Sequence, residues 1–130
     1  MSCVLDTDVL IAALNRRDAH HEQAAKVVRQ LRGGMLLSLV NYAEALVQPA
    51  QDERMLEAAL DGIAGLGIEL VAPTPAIAHD AARFRAFGVS LADGFAMATA
   101  RARAAALATF DERVRSALPR AAIELSPSVR

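Results

Sequence analysis

The stretch Ser2-Cys3-Val4-Leu5-Asp6-Thr7-Asp8-Val9-Leu10-Ile11-Ala12-Ala13-Leu14-Asn15 decides the fold class. A short apolar run stops at an acid, two polar residues follow, and the apolar character resumes. Ser2 to Leu5 reads as a strand, Val9 to Asn15 as a short helix. The same alternation continues along the chain. His20 to Leu31 sets Ala24, Val27, Val28 and Leu31 on one helical face, and Gly33-Gly34 stops it. Met35 to Leu39 is a second strand, and Asn41 to Val47 opens a helix that ends before Pro49. Leu56, Ala59, Leu60 and Ile63 keep helical spacing up to Gly65, and Ile68 to Val71 is a third strand. Beyond Pro73 and Pro75 a helix carries Ile77, Ala81, Phe84 and Phe87, with Gly88 as its terminator. Leu91 to Ala105 reads as a long alanine-rich helix, Leu107 to Phe110 as a fourth strand, Glu112 to Leu118 as a helix and Ile123 to Leu125 as a last strand. Strands separated by helices imply βα units. Near-continuously apolar strands imply a parallel sheet covered on both faces. The expectation is one α/β domain over residues 1–130, in three α/β/α layers around a parallel sheet of about five strands.

Composition narrows the class. The 130 residues are 54% apolar and 22% charged, which argues against intrinsic disorder. The longest purely apolar run is Val9 to Leu14, far below the roughly 20 residues of a membrane helix, so no membrane association is expected. The opening residues show no basic region, apolar core and cleavage site in succession, and Cys3 is the only cysteine; a cytoplasmic location is the default expectation. Net charge is −1, unlike a protein that coats nucleic acid non-specifically. Between Arg83 and Arg115, however, six arginines stand against Asp93, Asp111 and Glu112, so that stretch is locally basic.

Four acids fall where a parallel sheet binds ligands, at the carboxyl ends of strands and the first turns of the helices that follow. Asp6 ends the first strand, Glu44 follows the second, Asp93 opens the long helix and Asp111 ends the fourth strand. Each has a local explanation. Asn41-Tyr42-Ala43-Glu44 and Ser90-Leu91-Ala92-Asp93 fit capping boxes, Asp111 can cap the helix after it, and Asp6 or Asp8 can cap the first helix. The set has a second explanation. Two carboxylates about 4 Å apart repel by about 4 kcal/mol at an effective dielectric near 20, and a divalent cation removes that repulsion. An all-oxygen donor set suits Mg²⁺ or Mn²⁺. Zinc lacks ligands here, because there is no Cys pair and no His-x-x-x-His.

The motifs also carry a resemblance. Val4-Leu5-Asp6-Thr7-Asp8-Val9-Leu10-Ile11, Leu39-Val40-Asn41-Tyr42-Ala43-Glu44, Ser90-Leu91-Ala92-Asp93 with Ala96 and Ala98-Thr99-Ala100, and Ala108-Thr109-Phe110-Asp111-Glu112-Arg113 resemble, in order and spacing, the four acidic motifs of PIN domains. The group they most resemble is the VapC-type toxins of bacterial toxin–antitoxin pairs. The resemblance implies a Mg²⁺-dependent endoribonuclease, with Mn²⁺ able to substitute. Asp6, Glu44, Asp93 and Asp111 would hold the metal, Asp6 and Asp93 directly and Glu44 and Asp111 through water. Thr109 would orient a carboxylate. It also implies an RNA substrate, a cognate antitoxin that blocks the groove with an Arg or Lys, and a homodimer. Phosphates would meet Arg16, Arg17, Arg101, Arg103 or Arg113, with base stacking a minor contribution.

Two positions depart from the family pattern. Asp8 stands where Asn, Ser or Thr is commoner, and can act as a ligand or as a cap. Gly94 interrupts a helix, where glycine costs about 1 kcal/mol against alanine; room for the metal is one reading. Asp6-Thr7-Asp8 after a strand also resembles the opening of haloacid-dehalogenase phosphatases, and receiver domains share the length. Both of those need a lysine late in the chain, and Lys26 is the only lysine. An RNA-processing nuclease without an antitoxin, or a non-catalytic binding domain, are the remaining alternatives. The histidines at positions 20, 21 and 79 read as solvated helix residues.

Overall fold

A computed structural model describes residues 2–130. The chain runs β1 (Cys3–Leu5), α1 (Thr7–Leu14), α2 (His21–Leu31), β2 (Met35–Ser38), α3 (Leu39–Leu46), α4 (Glu53–Gly65), β3 (Glu69–Val71), α5 (Pro75–Phe84), α6 (Leu91–Ala102), β4 (Ala106–Ala108) and α7 (Glu112–Ala117). The four strands form one parallel sheet in the order β3-β2-β1-β4. From β1 the chain first builds outward through β2 and β3. It then returns to add β4 on the other side of β1. The sheet therefore has its topological switch point between β1 and β4, where open parallel sheets form a ligand crevice at the carboxyl ends of the strands.

Alternation along the strands splits the core in two. Val4, Leu36 and Leu107 face a cluster with Ile77, Ala81, Phe84, Met97, Val114 and Leu118 of α5, α6 and the α7 end. Cys3, Leu5, Met35, Leu37 and Ala108 face the opposite cluster, with Val9, Leu10, Val27, Val28 and Ile63 of α1, α2 and α4. Neighbouring strand residues point to opposite faces, so three- and four-residue strands suffice to hold two helical layers. This is the expected three-layer arrangement.

Three boundaries differ from expectation. The fifth strand is reduced to one parallel bridge, Leu107 to Leu125, because the chain after Ile123 turns into a single helical turn at Pro127–Val129. The long helix stops at Ala102, and Ala104 takes a left-handed conformation before β4. The third helix starts at Leu39, capped by Ser38, whose hydroxyl accepts the Val40 N–H at 3.2 Å. Asn41 therefore sits in the third helical position, and the expected Asn41–Glu44 capping box does not form.

Gly94 also has a different reason from the one expected. A Cβ at this position would lie 2.7 Å from the Ala81 carbonyl oxygen. Glycine here lets α5 and α6 approach backbone to backbone, which seats the first turn of α6. Alanine would recover about 1 kcal/mol of helix propensity, but a clash with main chain outweighs that, since overpacking costs about 1–3 kcal/mol. Gly94→Ala is expected to lower stability by about 1–2 kcal/mol in urea unfolding. A more stable variant would show that the two helices separate freely.

Candidate active site

Asp6 is the residue on which the site is built. It leaves β1 in extended conformation and caps α1, its Oδ1 accepting the Thr7 N–H at 2.9 Å. Its Oδ2 accepts the Thr109 hydroxyl at 2.8 Å. Only 2% of it is exposed. Thr109 in turn accepts the Asp111 N–H at 3.1 Å, so one hydroxyl ties the end of β4 to the end of β1 across the switch point. This is the orienting role the sequence suggested for Thr109.

Asp111 caps α7, its Oδ1 accepting the N–H groups of Arg113 and Val114 at 2.8 and 3.3 Å. Asp93 and Ser90 form the expected capping box: Ser90 Oγ accepts the Asp93 N–H at 3.1 Å, and Asp93 Oδ2 accepts the Ser90 N–H at 3.4 Å. Asp8 is not a cap. It lies in the first turn of α1, and its Oδ2 accepts the Phe110 N–H at 3.0 Å. Two successive residues of the β4 loop, Thr109 through its hydroxyl and Phe110 through its N–H, are thus held by Asp6 and Asp8. Arg115 holds the same loop from behind, donating from Nε to the Thr109 carbonyl at 3.1 Å and from Nη2 to that of Val129 at 2.9 Å.

Electrostatics bring four acids together. Burial, followed by repulsion from Asp8 and Asp93, pushes the Asp6 carboxyl well above the usual carboxylate range. Asp8 is also raised, chiefly by burial, with Asp111 and Asp93 adding repulsion. Asp6, Asp8, Asp93 and Asp111 therefore share one field. Glu44 makes none of the hydrogen bonds that tie these acids to the loops. It is exposed on α3, one turn beyond Asn41. Asn41 is the residue the sequence reading missed. It is fully buried, and its Nδ2 donates to Thr7 Oγ1 at 2.9 Å and to the Ala92 carbonyl at 3.1 Å. One amide thus joins α3 to the first turns of α1 and α6. The only sequence signal was an amide in a motif otherwise read as a cap.

The arginines divide. Arg113 lies beside Asp111, whereas Arg101 and Arg103 sit at the other end of α6, roughly 12–15 Å along the helix from Asp93. Arg103 pairs there with Glu69 at 2.6 Å. These two are therefore placed away from the acids, and a phosphate they met would lie farther along a bound strand.

Among the described residues, no three His, Cys, Asp or Glu side chains are gathered as a ready-made metal site. The donor chemistry nevertheless fits a hard cation. Asp93 and Asp111 each use one oxygen as a helix acceptor and keep the second. Asp8 Oδ1 is buried without any partner, as is Asn41 Oδ1. A buried carboxylate oxygen with no donor is costly, and a cation among these acids satisfies it.

The model of the family described as PIN domain matches residues 3–118. No curated protein sequence matches the chain. Among solved structures, the Mycobacterium tuberculosis VapC20 sarcin–ricin loop cleaving toxin superposes with a TM-score of 0.74 at 18% identity, covering 89% of this chain and 95% of that one. VapBC2 from Rickettsia felis, bound to a promoter DNA fragment, gives 0.74 at 15% identity over 97% and 98% of the two chains. A toxin–antitoxin complex from Klebsiella pneumoniae gives 0.72 at 19% identity over 91% and 93%.

The raised Asp6 carboxyl has a thermodynamic consequence. Between the unfolded and the folded pKa the native state holds a proton that the unfolded state has released, so stability falls as pH rises through that window. The wild type in EDTA is therefore expected to lose stability as pH rises from about 4.5 to 7. Asp6→Asn gives up one accepting oxygen and does not titrate, so it should lose less over the same range. Urea unfolding at the two pH values measures both slopes; equal slopes for variant and wild type would refute the strain.

The shared family model, the switch-point crevice and the acids gathered around it lead to one assignment: the chain belongs to the PIN domain family.

Proposed function

We propose that the protein is a metal-dependent endoribonuclease acting as the toxin of a toxin–antitoxin pair. The observation that carries this reading is the unpartnered, buried Asp8 Oδ1 among Asp6, Asp93 and Asp111 at the switch point. Structural likeness to toxins and to a toxin–antitoxin complex supports the biological setting. Exposed Leu39, Val47, Met55 and Leu91 offer apolar area to an antitoxin or a second protomer.

Asp6 and Asp93 would hold Mg²⁺ directly, with Mn²⁺ as a substitute, and Asp111 and Glu44 would act through water. The cation, when bound, supplies a water that is nucleophilic at neutral pH and offsets charge developing on the scissile phosphate. The chain's own residues do the positioning. Thr109 fixes the Asp6 carboxylate, the Ser90 box fixes Asp93, and the α7 amides fix Asp111, so each acid's rotamer is restrained before a cation arrives. Arg113, two residues after Asp111 at the start of α7, would supply a guanidinium to a phosphate of the strand. In-line attack would leave a 5′-phosphate and a 3′-hydroxyl.

The test is incubation of antitoxin-free protein with total RNA, in Mg²⁺ or Mn²⁺ against EDTA, with Asp93→Asn in parallel. The expected result is cleavage at a few sites that needs both the metal and Asp93. Loss in the variant should be at least the roughly hundredfold that removal of an outer-shell partner brings, with the fold intact. Cleavage that survives in Asp93→Asn would refute the site, and no cleavage by folded, metal-loaded protein would favour a binding-only domain.

A further inference from the structure

Beside the acids lies an aromatic stack that the chemistry above does not use. The ring of His20 stacks on that of Phe110, with centroids 4.8 Å apart and planes inclined by 16°. Phe110 stands between Thr109 and Asp111, the two residues that tie β4 to Asp6. Its backbone N–H is held by Asp8. His20 ends the α1–α2 connection, and its own N–H is held by Asp18 Oδ1 at 2.8 Å. The same Asp18 oxygen lies 3.8 Å from His20 Nδ1, which restrains the ring. Both halves of the stack are therefore anchored through their backbones. Phe110 is half-buried, but 54% of the His20 side chain is exposed. With one face on Phe110, that exposure belongs to the outer face and the edges.

We propose that the His20–Phe110 stack is a nucleobase platform: an unpaired base of the RNA strand stacks on the outer face of His20, one residue from the catalytic acids. This rests on the nuclease reading and adds a base-binding subsite to it. A pre-stacked pair suits the task. Its geometry is set before the strand arrives, so a third ring adds to the pile with little ordering cost. Stacking on a flat ring is tolerant of sequence and strongest for the larger bases, so the platform favours purines. Arg16 and Arg17 are exposed in the same connection and supply cations for the flanking phosphates. A His20 that merely covered Phe110 would be expected to sit more deeply buried than the 54% exposure of its side chain. The chain has only five Phe and Tyr residues and no Trp, so a rim position taken by one of them beside the acids also singles out this ring.

The test uses the Asp93→Asn protein, so that RNA survives, and single-stranded RNA of about twelve nucleotides. Binding is compared for oligoadenylate, oligouridylate and a sugar-phosphate strand of the same length without bases. The platform predicts tighter binding of oligoadenylate. His20→Ala should weaken it by roughly five- to fiftyfold and abolish the preference for adenine, with little change for the baseless strand. His20→Leu, which keeps apolar bulk without a π face, should behave like His20→Ala, and His20→Trp should restore binding. Unchanged thermal midpoints verify that all three variants fold. An equal loss on the baseless strand, retention by His20→Leu, or no binding of either base-bearing strand would overturn the proposal. If total RNA is cut in a metal- and Asp93-dependent way while His20→Ala binds like its parent, the platform fails and the nuclease stands. If nothing is cut yet His20→Ala loses its adenine preference, the platform stands on a protein that binds without cleaving.

Discussion

The buried carboxylate of Asp6 is the constraint from which the site is built. An acid with 2% exposure persists at a sheet edge only when its oxygens are hydrogen-bonded and its repulsions have a use. Here one oxygen begins α1 and the other closes the gap to β4 through Thr109. The second bond crosses the switch point of the sheet, from the end of β4 to the end of β1. Its loss would loosen the β4 loop, and with it Asp111 and the support of Phe110.

The remaining acids reach Asp6 through helix starts, and the packing behind them is built to that end. Asp93 is delivered by the first turn of α6. That turn stands where it does because α5 and α6 meet at Gly94 without a side chain between them, and because Asn41 holds the Ala92 carbonyl from α3. Both features lower local stability in isolation, one as a helix glycine and the other as a buried amide with an unpartnered oxygen. Their joint presence beside the acids fits the wider pattern in which active sites are destabilised relative to the scaffold.

Most of this fold was legible because its signals are local and repeated. Strand ends fall at acids, helices end at Gly33-Gly34, Gly65 and Gly88, and each strand is short and apolar. Ser90 to Asp93 reads correctly as a capping box because the cap and its acid lie three residues apart and nothing nearby competes. Asn41 to Glu44 reads wrongly for the opposite reason. Ser38 offers a better-placed hydroxyl three residues earlier, and it captures the helix start. What sequence could not reveal depends on long-range approach. The Asn41 bond to Thr7 spans 34 residues, the Asp8 bond to Phe110 spans 102, and the burial that raises Asp6 exists only after the sheet closes. That Arg101 and Arg103 stand at the far end of α6 from Asp93 was also hidden, because local charge carries no information about which end of a helix faces the site.

The two explanations offered for the acids, helix capping and metal binding, are complementary in this structure. A carboxylate has two oxygens with lone pairs to spare, and Asp93 and Asp111 divide theirs between a helix and the crevice. Capping supplies the orientation, since an acid bonded to amides of its own first turn cannot swing away from its neighbours when they repel it. The partial positive charge of each helix start offsets some of that repulsion before any cation arrives. Asp8 lacks this help: its one bonded oxygen reaches across to Phe110, and the other has no donor. The helix starts thus make the closeness of these charges tolerable, and the deficit they leave at Asp8 is where a hard cation would contribute most in the proposed reading.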